Sequence, residues 1–400
     1  MRTYFYLLIT IVITFSSFSY AQSNELLFAP STKVTKGGTY FKADAIGSVD
    51  YVDNYLYQID NEQSALISSL SAKAKMQVEN KKTLWNVNGF AGYNKINNFS
   101  EDDHTDYSLS GSYHYKFTPK LEVLAHGSTD RRYVYRGQEI TVGQDQQFTS
   151  GNSISNQAAL ITTNYGSDGS IAKLNATLGF LKSSYDKFRA QTKLFDVKKS
   201  YLELGGDYLI SGKSYLSVES TYIKNTFDND DGRDNDTLGV LGGVKWSPSE
   251  ISKLAILAGY QRLSFKNDNI ANQNKFTWRA NYKWQPMEQL YLNFVSGRNF
   301  DDSLNEAEDY RIVDSHDLTI NYIYHRRLIL ALNAGFNKDT AFSQTTERVL
   351  EYTKLGAAVK YQWRQRIHFY LNTGLNQLDS TEATQGYDRL NASIGLTVRI

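Results

Sequence analysis

The 400-residue chain contains no cysteine and only four prolines, and its charges nearly cancel, 43 Lys and Arg against 42 Asp and Glu. Lack of cysteine excludes the disulfide scaffold that supports small secreted domains. A formal net charge of +1 leaves no basic footprint for nucleic acid. Beyond Phe15 no apolar run is long enough for a spanning helix, which needs about twenty residues, and the mean hydropathy of −0.47 resembles that of a water-soluble protein. Nor does any Pro/Gly/Ser-rich linker divide the remaining length, which is enough for two or three ordinary soluble domains.

The N-terminus predicts an export signal over residues 1–21. Arg2 gives the positive start, Tyr4–Phe15 the apolar stretch, and Ser19-Tyr20-Ala21 a small-x-small cleavage site before Gln22. No cysteine follows that site, so no lipid anchor is expected there. Residues 22–38 show no periodicity and are expected to form a short periplasmic lead-in. They are too few for a globular plug.

What the chain has in abundance is aromatic residues, 14% of the total with 29 tyrosines, set in a strict alternation. Leu390, Ala392, Ile394, Leu396, Val398 and Ile400 fall on one side of the last segment, with Asn391, Ser393, Gly395, Thr397 and Arg399 on the other. Phe276, Trp278, Ala280, Tyr282 and Trp284 alternate with Thr277, Arg279, Asn281 and Lys283, and residues 355–363 repeat the pattern. A period of two places each set on one face of a strand. One face apolar and the other small and polar is the pattern of a barrel with lipid outside and water inside.

Short turns follow aromatic or apolar strand ends, at Phe117-Thr118-Pro119-Lys120, Trp246-Ser247-Pro248-Ser249, Trp284-Gln285-Pro286-Met287, Tyr324-His325-Arg326-Arg327 and Trp363-Arg364-Gln365-Arg366. Similar turns are expected at 80–82, 167–170 and 211–214. Longer polar connections alternate with them, at 97–104, 136–152, 186–195, 228–235, 266–272, 301–312, 339–346 and 379–386. In outer-membrane barrels the short turns are periplasmic and the long loops extracellular. Trp246, Trp284, Tyr324 and Trp363 then form the periplasmic aromatic girdle. Cross-strand packing in a soluble sandwich also favours aromatics, but it would not gather them at one strand end.

The fold class predicted for residues 39–400 is all-β, a transmembrane antiparallel up-and-down barrel of about eighteen strands. The strands are expected at 39–51, 63–78, 84–96, 105–117, 121–135, 153–165, 171–184, 197–210, 215–227, 236–246, 253–265, 273–284, 289–300, 313–324, 328–338, 347–363, 367–378 and 387–400. A barrel of this size encloses water rather than a packed core. The expected lumen face carries Lys42, Lys73, Lys75, Lys116, Lys173, Lys245, Arg279, Lys283, Lys360 and Arg399, against Asp44, Asp50, Glu122, Glu203, Asp207 and Glu219. A mildly cationic, amide-rich wall suits polar or anionic chains; equally, such charges can simply pair with one another. The longest loop, Arg136–Asn152 with Gln138, Gln144, Gln146 and Gln147, either folds inward as a constriction or extends outward.

No enzyme and no cofactor are expected. His126 and Ser128 stand two apart, a spacing used by outer-membrane lipid hydrolases, but those need the pair facing lipid with a carboxylate or amide behind the imidazole. Here Leu121, Val123 and Ala125 hold the outer face. His104, His114, His316, His325 and His368 lack zinc-like spacing. Asp228, Asp230, Asp231, Asp234 and Asp236 crowd one loop, but Gly232 comes one position too early for a calcium loop. They read as a solvated outer loop near lipopolysaccharide.

The stretch Asp50-Tyr51-Val52-Asp53-Asn54-Tyr55-Leu56-Tyr57 resembles one in the β-barrel porin family encoded with exopolysaccharide synthesis operons, and the hairpin layout is similar over residues 40–400. That resemblance implies a Gram-negative outer-membrane channel assisting export of an exopolysaccharide, with membrane lipid, the polysaccharide and periplasmic export components as partners. A general or oligosaccharide-uptake porin is the first alternative. A lipid hydrolase or an adhesive barrel stands further off.

Overall fold

The computed structural model describes residues 34–35, 38–139, 148–167, 169–303, 305, 308–343, 346–382 and 385–400. The expected signal peptide, most of the lead-in, Gln144, Gln146 and Gln147 of the long loop, and Asp168 in one turn lie outside them. The barrel strands are β1 (Thr39–Val52), β2 (Ala65–Glu79), β3 (Thr83–Ile96), β4 (His104–Lys116), β5 (Leu121–Val134), β6 (Asn152–Tyr165), β7 (Ala172–Tyr185), β8 (Val197–Ser211) and β9 (Ser214–Phe227). They continue as β10 (Asn235–Trp246), β11 (Ser252–Phe265), β12 (Gln273–Met287), β13 (Leu290–Asp301), β14 (Tyr310–His325), β15 (Leu328–Phe342), β16 (Glu347–Arg364), β17 (Ile367–Ser380) and β18 (Tyr387–Arg399). Each pairs antiparallel with the next, and β18 closes on β1 from Asn391↔Val52 to Arg399↔Asp44. Closure leaves no sheet edge for lipid to meet, as a spanning sheet requires.

The outer face is the apolar one. On β3, Trp85 and Tyr93 are exposed eight residues apart, which is about 26 Å of strand or roughly 20 Å after a tilt near 40°, close to the height of an outer-membrane apolar band. Trp246, Trp284, Tyr324 and Trp363 are exposed on the outer face at the short-turn end. A second outward ring, with Tyr51, Tyr107, Tyr260 and Phe276, stands near the loop end.

Two connections differ from the sequence-based expectation. β12 runs through Pro286 to Met287, with its register to β13 shifting between Trp284 and Met287. The missing proline N–H falls at that irregularity, where no ladder bond is lost. β15 extends to Phe342, leaving only residues 343–346 as its loop. This polar end has no apolar face to signal a strand, but it is held on both sides: Arg311 contacts Asp339 at 2.8 Å, and Lys338 contacts Glu351 at 2.9 Å.

Candidate functional site: lumen and loop-side mouth

The predicted lumen residues all lie on the face opposite the exposed apolar side chains, and several are drawn together. Lys245 of β10 contacts Asp207 at 2.9 Å and Glu219 at 3.2 Å, and Arg279 reaches Glu219 from β12. Glu219 and Arg279 stand three strands apart, so this face is concave. Glu203 accepts from Asn175 at 3.3 Å and from Tyr201. Where β18 meets β1, Asp44 pairs with Lys42 at 2.9 Å and with Arg399 at 3.2 Å. Asp50 accepts from Ser48, and Glu122 from His114 at 2.9 Å. Lys73, Lys116, Lys173 and Lys360 share this face. Lys75 and Lys283 form no ion pair among the described residues. Much of the wall charge is therefore internally paired.

The loop-side mouth is built from residues that strand periodicity does not mark. The fully buried Asp102, in the 97–103 loop, accepts from Tyr133 at 2.6 Å, Tyr55 at 3.1 Å, the Gly151 amide at 2.7 Å, and Arg136 Nη2 and Nε at 2.6 and 3.1 Å. One carboxylate thus holds both stems of the longest loop. Burial and the Asp102 charge push the Tyr55 phenol far above its ordinary pKa, so it remains a donor. The described part of the loop then crosses the mouth. Gln138 donates to the Tyr57 hydroxyl at 2.6 Å, while Glu139 accepts from Arg132 at 2.6 Å and from Tyr185 of β7 at 3.2 Å. Tyr57 also accepts from Arg389 of β18. Six strands separate β7 from β18, so the strap spans a chord of the barrel. Gly137, at φ +78°, lies so close to Leu56 and Tyr57 that a Cβ would stand 2.5 Å from the Leu56 carbonyl oxygen. The strap packs directly on that backbone, and only glycine fits there.

A second link crosses elsewhere. Lys199 of β8 contacts Asp302, beyond β13, at 2.7 Å, and Asn225 and Asn235 donate to it at 3.1 and 3.0 Å. Burial opposes the Asp302 charge, but Lys199 and these bonds outweigh it and hold the carboxyl below its ordinary range.

His126 and Ser128 share the inner face of β5, away from lipid, and neither bonds to a carboxylate among the described residues. In the acidic loop, Asp228 pairs with Lys198 at 2.6 Å and Asp234 with Lys266 at 3.2 Å. No metal-holding group of three or more His, Cys, Asp or Glu occurs among the described residues.

Residues 205–400, from mid-β8 to the end, match a family model described as "Putative beta-barrel porin 2". The chain is porin-like. This porin-like barrel shows 10% identity, with a TM-score of 0.46, to the siderophore receptor PirA from Pseudomonas aeruginosa, over 90% of this chain and 80% of that one. For OccAB3 from Acinetobacter baumannii the figures are 10%, 0.45, 90% and 99%. For the ferric enterobactin receptor PfeA from Pseudomonas aeruginosa, a mutant in complex with enterobactin, they are 8%, 0.44, 90% and 81%. Likenesses this distant say nothing about solute or direction. No curated protein matches the chain.

Proposed function

We propose that the barrel is a Gram-negative outer-membrane channel that passes an acidic exopolysaccharide outward. The observation that carries this reading is an axial charge separation. The nine connections at the loop end hold twenty Asp and Glu against six Lys and Arg, whereas the eight turns hold three against seven. Lys42, Lys73, Lys75, Lys116, Lys173, Lys245, Lys283, Lys360 and Arg399 all occupy the turn-side half of the inner wall. With the turns periplasmic, the basic turn-side half favours entry of an anionic chain from the periplasm, since wall charges set a pore's preference.

A clean deletion is expected to lower extracellular matrix polymer and leave growth on small sugars unchanged. Normal secretion with impaired oligosaccharide uptake would transfer the case to an uptake porin. In planar bilayers, replacing Lys75 and Lys283 with Gln should lower the anion-to-cation permeability ratio by about a factor of two. An unchanged reversal potential would remove both residues from the conduction path.

A further inference from the structure

Six arginines project from the strands onto the inner face, and five are matched to carboxylates. Arg132 meets Glu139 at 2.6 Å, Arg311 meets Asp301 at 2.6 Å, Arg348 meets Glu308 at 2.5 Å, Arg399 meets Asp44 at 3.2 Å, and Arg279 meets Glu219. The sixth is Arg389. Among the described residues it forms no ion pair. Its one described hydrogen bond goes to the neutral Tyr57 hydroxyl, and its guanidinium lies over the Tyr57 ring, 4.3 Å from the centroid. Nε is buried without an acceptor. Asp53 acts on it electrostatically but forms no ion pair with it, and the Asn54 and Leu390 amides take the Asp53 Oδ1 at 2.6 and 2.8 Å.

A partly desolvated guanidinium without a counter-ion is costly, yet the surroundings hold this one in place. Tyr57 is itself fixed by Gln138 of the strap and by edge contact with Tyr387, 4.9 Å between centroids. The group therefore stands preset at the loop-side mouth beside the strap, with no carboxylate ion-paired to it among the described residues. We propose that Arg389 is an oxyanion-binding residue, taking the carboxylate or sulfate group of an acidic saccharide as the chain passes the strap. Its planar fork suits such oxyanions bidentately. The Tyr57 hydroxyl and ring set the plane of that fork. This inference rests on the channel reading for its ligand class.

The test is calorimetric titration of the detergent-purified barrel with trigalacturonate, a sulfated disaccharide and neutral maltotriose, with bilayer conductance recorded separately. At least one oxyanion probe should bind ten-fold or more tighter than maltotriose, and Arg389→Gln should abolish that difference. Tyr57→Phe, which keeps the ring and removes the hydroxyl, should weaken binding several-fold and provides the test should Arg389→Gln not fold. Oxyanion binding that neither substitution changes, or no preference over maltotriose in the wild type, overturns the site. Arg389-dependent binding by a barrel that does not conduct would sink the channel reading and leave the site standing.

Discussion

Replacing Asp102 with Ala is expected to raise single-channel conductance several-fold and to leave the barrel folded. This fully buried carboxylate takes hydrogen bonds from two tyrosine hydroxyls, one guanidinium and one backbone amide. Without it Arg136 keeps the more exposed Glu101, at 3.2 Å, and the Phe99 ring, 5.4 Å to the centroid, and the Gly151 amide and both hydroxyls lose their shared acceptor. Removing one partner of a buried pair typically costs about 3–5 kcal/mol. The strand ladder shares none of these groups, so the loss falls on residues 135–139 and 148–151 rather than on the barrel. Hydrogen exchange should quicken in those segments while β16 and β17 stay protected. Asp102→Asn keeps the volume but not the charge and should fall between. Unchanged conductance and unchanged loop protection would show that Asp102 does not hold the strap.

Leu371→Arg is expected to destabilise the barrel by about 2–4 kcal/mol, the cost of an arginine facing lipid near the bilayer midplane. Leu371 is exposed on the outer face of β17 between Val359 and Ile394. Its neighbour Asn372 faces the lumen between Ala358 and Ser393, where an arginine keeps its water. Asn372→Arg should therefore cost much less. Urea titrations of the two variants refolded into liposomes compare them directly, and equal penalties would contradict the assignment of faces.

Strand number, pairing order and the facing of each side chain were legible in the sequence. A period of two is a local property, and lipid on one side with water on the other imprints it on every spanning segment. The same periodicity placed Lys245, Arg279 and Glu219 on the inner wall. It could not show that they meet, since contacts between strands two or three apart depend on the curvature of the closed sheet. The mouth left still less trace. Asp102, Arg136, Tyr57 and Gln138 lie in loops without periodicity, and Arg389 in the last strand looks like any other inward base. That the described part of the longest loop crosses the mouth is decided by contacts such as Gln138 to Tyr57, 81 positions apart, and Arg389 to Tyr57, 332 apart. Alternation within a strand records which solvent each side chain faces, whereas the strap across the mouth and the one inner-face arginine without an ion pair among the described residues exist only once β18 has met β1.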